Sequence, residues 1–161
     1  MSTRASLLAQ RIEQGAHTLA EFAQGLSDAG WHTVVPPDGR RVGVIVHHVA
    51  SVCPIETHLA TEVASGDPVA GVTWAVVDAM NSKHALEHAA TGKSETIDLL
   101  RRNSHAAAEA VRALTDEQLD RAAPVSLNSD APLTAQFLIE DHALRHSWHH
   151  LAKINAALQN V

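Results

Sequence analysis

Apolar residues recur along much of this chain at spacings of three and four, the repeat of a helix with one buried face. Residues 4–28 carry Leu7, Leu8, Ile12, Leu19, Phe22 and Leu26 in this rhythm, with Ser2 or Thr3 placed to cap the start. Gly30, the Pro36-Pro37 pair and Asp38-Gly39 then break the pattern and predict a loop. A second helix is expected from about 41 to 65, with Ile45, Val52, Ile55, Leu59 and Val63 as its apolar stripe and a kink at Pro54. A shorter third helix covers about 74–90 and an Ala-rich fourth about 94–114. Thr115 and Gln118 are spaced as a capping box for one extra turn. The stretch AAPVSLNSDAP reads as a loop, and the last helix runs from about Thr134 almost to the end. RVGVIVHHV also has strand propensity, so a strand there is the weaker alternative to helix. Four long helices and one shorter one predict an all-α bundle, and 161 residues suit a single domain.

Composition agrees with close-packed helices. The apolar 45% is mainly Ala, Val and Leu, while aromatics are 3% with no Tyr, which disfavours a sheet. Net charge is −6 and no run of five or six Lys/Arg occurs, so the basic patch that nucleic acid requires is missing. No apolar run approaches the ~20 residues that span a bilayer, and the first residues lack the apolar core of a signal peptide. A soluble cytoplasmic protein with neither membrane nor nucleic-acid partner is expected. A single cysteine, Cys53, cannot form an internal disulfide and reads as a buried structural thiol.

Histidine changes the picture, because there are twelve, as many as all Lys and Arg together. In the second helix His48 follows the four-three-four rhythm with Val52, Ile55 and Leu59, so it faces inward; His47 falls on another side with Ser51 and His58. In DHALRHSWHHLAKI, His142, His146 and His150 are four apart and share a stripe with Leu138, Ile139 and Ile154. His149 sits at the polar edge of that stripe, and Asp141, Arg145 and Trp148 lie on other sides. Imidazoles on an apolar face need partners for their nitrogens. Two imidazoles one turn apart converge on one ion, and a third from a facing helix completes a triangular face open to water or substrate. Such a site suits Zn²⁺, Ni²⁺ or Fe²⁺. His84 and His88 make a rival pair, ranked lower because no third inward histidine is left for it.

The segments VGVIVHHVASV, WAVVDAMNSKHA with Asp78 and Asn81, and RHSWHHLAKI together resemble the DinB/YfiT-like superfamily of bacterial four-helix proteins. The resemblance covers essentially the whole chain. It implies a down-up-up-down bundle with a three-histidine divalent metal site, whose ligands carry over to His48, His146 and His150. It further implies a metal-dependent enzyme acting on a small molecule. That enzyme is either an S-transferase using a low-molecular-weight thiol cosubstrate or a hydrolase, and a homodimer is plausible on the same basis. Lys153 and Gln159 stand where the family commonly carries Arg or Gln after the last histidine.

The leading expectation is that the ion acidifies a bound thiol or water. His142 then serves as a proton shuttle or as a satisfied core histidine, two readings of equal weight. Asn81 or His84 contacts substrate from the third helix. A non-catalytic metal- or ligand-binding bundle is the rival class. A closed structural zinc site would need a fourth ligand, from Asp141 or His142. The paired E-x-x-H of di-iron bundles and the G-x-S-x-G elbow of serine hydrolases are both missing from the chain.

Overall fold

The computed structural model of the protein describes residues 2–159. In chain order it contains α1 (Thr3–Gly25), a short α2 (Asp28–His32), α3 (Val42–Ser65), α4 (Trp74–Glu87), α5 (Lys93–Arg112) and a short α6 (Asp116–Asp120). Strands β1 (Ala122–Val125) and β2 (Ala131–Thr134) follow. A last helical run comprises α7 (Ala135–Leu138), a π-helical turn (Ile139–Leu144) and α8 (Arg145–Leu158).

Local chemistry sets these boundaries. The Ser2 hydroxyl accepts the Ala5 N–H at 3.0 Å and opens α1. Thr115 and Gln118 form the reciprocal box expected of them, at 3.1 and 3.0 Å. Gly66, at φ 95°, ends α3 in the left-handed conformation that glycine adopts without strain.

Side-chain contacts fix the direction of each long helix. Arg101 reaches Gln24 while Arg112 pairs with Glu13, so α1 and α5 run antiparallel. Trp31 packs against Gly43 at the head of α3 and donates to the Thr91 carbonyl just before α5, while further along Asn103 meets Ala50. Helices α3 and α5 are therefore parallel, joined by the crossover that contains α4. A Cβ on Gly43 would lie 2.5 Å from the Trp31 indole, so this close approach requires glycine. Glu56 meets His146 and His48 meets His150, which sets α8 antiparallel to α3. Arg11 pairs with Glu140, and Gly15 abuts Trp148, so α1 and the last helix are parallel. The result is the down-up-up-down four-helix bundle.

Several local expectations are corrected. RVGVIVHHV is helical from Val42 onward, and only Arg41 pairs in the manner of a strand, in an isolated bridge to Val34. The apolar stripe of α3 is rotated from the expected one: Ile55 is 43% exposed, while Ile45, Val49, Cys53, Ala60 and Val63 are buried. Pro54 sits inside a continuous helix. Its ring nitrogen has no hydrogen to give the Ala50 carbonyl, and Asn103 Nδ2 on α5 donates to that carbonyl instead, at 2.8 Å. The expected loop over 122–132 is mostly an antiparallel hairpin, registered from Ala122 opposite Thr134 to Val125 opposite Ala131. Pro124 and Pro132 face each other there, and the Pro124 carbonyl turns outward to accept the Val69 N–H at 2.9 Å. The first helix ends at Gly25, short of the expected 28, and α2, capped by Ser27, straddles the expected start of the loop.

Two apolar clusters fill the bundle. One gathers Leu8, Ile12, Cys53, Val63, Leu138 and Ile139, the other Leu19, Trp31, Ile45, Val49, Leu100 and Ile154. On α3 the change of cluster falls between Ala50 and Cys53, and on the last helix between Leu144 and Leu151. His146 and His150 lie in that last interval. Among the described residues no helix is long and apolar enough to cross a membrane.

Candidate metal centre

The donor atoms of His48, His146 and His150 lie within 4.8 Å of one another, beside the change of cluster on the last helix. Their rings pack at centroid distances of 5.1 Å for His48 and His146, 5.4 Å for His48 and His150, and 4.8 Å for His146 and His150. His48 and His150 are buried. Helical geometry accounts for the convergence: His146 and His150 are one turn apart on α8, and α3 runs antiparallel beside them.

Burial decides the charge of this group. The His48 ring is pushed down to about 3, first by burial and then by the neighbouring His146 and by Arg40. His150 is pushed down to about 2 by burial, His146 and His48. Both are neutral near pH 7, the form in which imidazole offers a lone pair to a metal.

Glu56, also on α3, completes the arrangement. Its Oε1 lies 2.5 Å from Nδ1 of His146, and both side chains are largely buried. The Nδ1–H therefore donates to the carboxylate, which leaves Nε2 of His146 as the free donor and holds the ring in place. This carboxylate-histidine pairing is how proteins orient and strengthen a metal-binding imidazole. Nδ1 of His48, Nδ1 of His150 and Oε2 of Glu56 are buried with no hydrogen-bond partner. Buried polar atoms ordinarily find partners, and each of these three belongs to the histidine trio or to the carboxylate that holds it, which fits a site built to take a cation. Three nitrogen donors and one supporting carboxylate suit a divalent ion of the zinc or nickel type.

A turn between α2 and α3 brings in charge. Asp38 grips Arg40 through Nε at 2.6 Å and Nη2 at 2.8 Å. Burial alone would raise the Asp38 carboxyl, but the bonds and charge of Arg40 outweigh it and hold the pKa below the usual range. The Arg40 charge acts on His48, His84 and His150, and its Nη1 is buried without a partner. Cys53, one helical turn beyond Val49, is pushed up to about 12 by burial and then by Glu56, so it is a thiol and not a nucleophile.

The remaining candidates separate. His142 lies on the π-helical turn, half-buried, with Nε2 3.9 Å from Asp141 and outside the converging trio. A π turn adds a residue to the helical repeat, so the four-residue stripe from His142 does not carry through to His146. Asn81 is half-buried on α4, one turn before His84. His84 meets His48 edge-on at 5.6 Å, but its closer partners are His47 and His88. His149 is exposed on α8, its pKa lowered by partial burial and by Lys153 and Arg145.

Sequence reasoning missed Glu56, Arg40 and the contact that half-buried His47 makes with His84 and His88. Glu56 was detectable in principle, since it falls seven residues after Val49 and four before Ala60 on the buried stripe.

A helical bundle whose facing helices bring three histidines and a supporting carboxylate together defines a class of candidate metalloprotein. The sequence model of the DinB superfamily matches residues 11–154, and the chain belongs to that family. Among solved structures it is similar to YfiT from Bacillus subtilis, with a TM-score of 0.72 at 20% identity over 99% of this chain and 89% of that one. YfiT is described as a probable metal-dependent hydrolase with an unusual four-helix bundle topology. A search of curated proteins returns no match.

Proposed function

We propose that this protein is a metal-dependent enzyme in which His48, His146 and His150 hold a divalent ion and a small thiol or water is the nucleophile. The observation that carries this reading is the buried trio with Glu56 locked onto His146. Bound there, a divalent ion supplies the positive charge that lowers the pKa of a thiol or water at its exchangeable position. Three protein donors leave such a position, which a closed structural site with four does not.

The chain's own residues supply the rest. Glu56 fixes His146 through Oε1 and keeps Oε2 free to accept a proton. Arg40, held by Asp38, offers its unpaired Nη1 to an anionic group of a substrate. Cys53 stays protonated in the core and takes no part.

Thiol transfer is the first reading to test, with a low-molecular-weight thiol as cosubstrate. Hydrolysis is the second, favoured by the likeness to YfiT and the description that protein carries. The protein loaded with Zn²⁺, Ni²⁺ or Fe²⁺ is incubated with small thiols and a panel of electrophiles, and in parallel with ester and amide substrates. Metal-dependent loss of free thiol that fails in Glu56→Gln supports transfer, and product formation without thiol supports hydrolysis. Silence in both arms with metal bound leaves the non-catalytic binding bundle as the better account.

A further inference from the structure

Beside the buried trio lies a second group that the proposed chemistry does not use. His47 on α3 and His84 on α4 approach at 2.9 Å, Nδ1 to Nε2, and His88 stacks on His47 with ring centroids 3.9 Å apart. His84 is on α4 and His88 caps its C-terminal end four residues on, with ring centroids at 4.6 Å. One donor atom from each of the three lies within 4.8 Å of the others. Nδ1 of His84 is buried without a partner.

The helix that carries His84 and is capped by His88 is otherwise weakly held. No residue of α4 is buried. Trp74, Val76, Met80 and Leu86 are all exposed, Leu86 at 81%. The half-buried positions are Val77, Asn81, His84 and Ala85, with His88 just past the helix end, so the side that meets α3 is partly imidazole. Apolar burial, the usual reason a surface helix stays on its bundle, is nearly missing here.

We propose that His47, His84 and His88 form a second divalent-metal site, distinct from the buried trio, which fastens α4 to α3. Three neutral imidazoles select borderline late ions such as Zn²⁺, Ni²⁺ or Cu²⁺ over Mg²⁺ or Ca²⁺, which take oxygen ligands. One donor on α4, one on the residue that caps its end and one on α3 make the ion a cross-link between the helices. A cleft of about 430 Å³, lined by His47, Glu87, His88, Glu95 and Arg102 among others, opens beside the group. It gives an ion a route from solvent. The third cluster of possible ligands, Glu13, His105 and Glu109, differs because Arg112 already pairs with both carboxylates.

The test uses the full chain stripped with chelator, then loaded with Zn²⁺ and dialysed, as wild type, His88→Ala and His146→Ala. Metal content is measured by elemental analysis, and amide hydrogen exchange is followed over residues 74–87. The wild type is expected to hold two equivalents and each variant one. Zinc is expected to slow exchange across 74–87 by about tenfold or more in the wild type and in His146→Ala, and to leave it unchanged in His88→Ala. Zinc retained by His88→Ala at the buried trio serves as its folding control.

Equal zinc content in wild type and His88→Ala, or no zinc effect on 74–87, overturns the second site. Loss of one equivalent from His88→Ala with none lost from His146→Ala leaves this inference standing and removes the buried trio as a metal site.

Discussion

His47 and His48 are adjacent in sequence, yet they belong to two histidine groups of different construction. His48 joins His146 and His150 beside the change of apolar cluster on the last helix, where a carboxylate from the helix of His48 fixes one ring. His47 joins His84 and His88 at the edge of the bundle, where ring meets ring, the Ser51 hydroxyl lies 3.2 Å from His47 Nδ1, and among the described residues no carboxylate hydrogen-bonds to the group. The comparison separates two ways of making a donor set. In the first, packing from all sides and Glu56 fix the geometry before any ligand arrives. In the second, the geometry depends on a helix that buries nothing of its own. Preorganisation of the first kind is what catalysis asks of a site, and the second kind suits a clasp.

The sharpest way to break this separation is to remove one ligand from each group. His48→Ala should weaken metal binding at the buried trio by more than about 100-fold, beyond the range typical of a lost supporting residue. His47→Ala should leave that binding intact. A titration with Zn²⁺ in which both variants lose the same site would merge the two groups into one.

Glu56→Gln comes next. It keeps the side-chain shape but removes the charge that holds Nδ1–H of His146, and a drop of about 10- to 100-fold in metal affinity is expected. Unchanged affinity would mean that packing alone orients the ring.

Acid should distinguish the groups in a third way. In the metal-free protein His47 is held down to about 4 by burial, His88 and His84, against about 3 for His48 and about 2 for His150. Histidine signals in NMR spectra should therefore show His47 taking up a proton first and His150 last. All three bind protons more weakly in the folded state than the unfolded chain does. Stability is thus full above about pH 6.5 and falls as pH drops, by at most about 1.4 kcal/mol per pH unit for each of His48 and His150. Ordinary titration of His48 near 6.5 would show that the trio is wet and exposed.

The smallest effect should fall on both groups alike. Asn103→Ala leaves the Ala50 carbonyl unsatisfied in the turn of α3 that follows His47 and His48, at a cost of about 1–3 kcal/mol in chemical denaturation. Loss of only one metal site in that variant would place the strain on one side of the helix.

The sequence shows why some of this was legible and some was not. Helical periodicity placed the long helices and the extra capped turn at Thr115, because each carries its own signal in neighbouring residues. The facing of His48 and the pairing of His146 with His150 followed from the same periodicity. Resemblance to the DinB superfamily added the antiparallel neighbour that lets them meet. What failed depends on partners distant in sequence. Glu56 stands off the expected stripe of Ile45, Val52, Ile55, Leu59 and Val63, and its role appears only when α8 sets His146 against it. His47 reads as outward until α4 folds over it, and only then do His84 and His88 gain the third ring that sequence reasoning denied them. His142 parted from its stripe through a π turn, a departure in hydrogen bonding that residue spacing does not announce. The hairpin over 122–134 was hidden by Ala and Pro, poor strand formers that pairing alone holds extended.

The most direct test of the buried trio is the metal content of untagged wild type beside His146→Ala, both purified without chelator or metal-affinity resin. The account predicts that the wild type carries about one equivalent more Zn, Ni or Fe than the variant, as a three-imidazole site should. Equal content in the two proteins, or none in either after divalent ions are supplied, would contradict it and leave His48, His146 and His150 as a buried polar network.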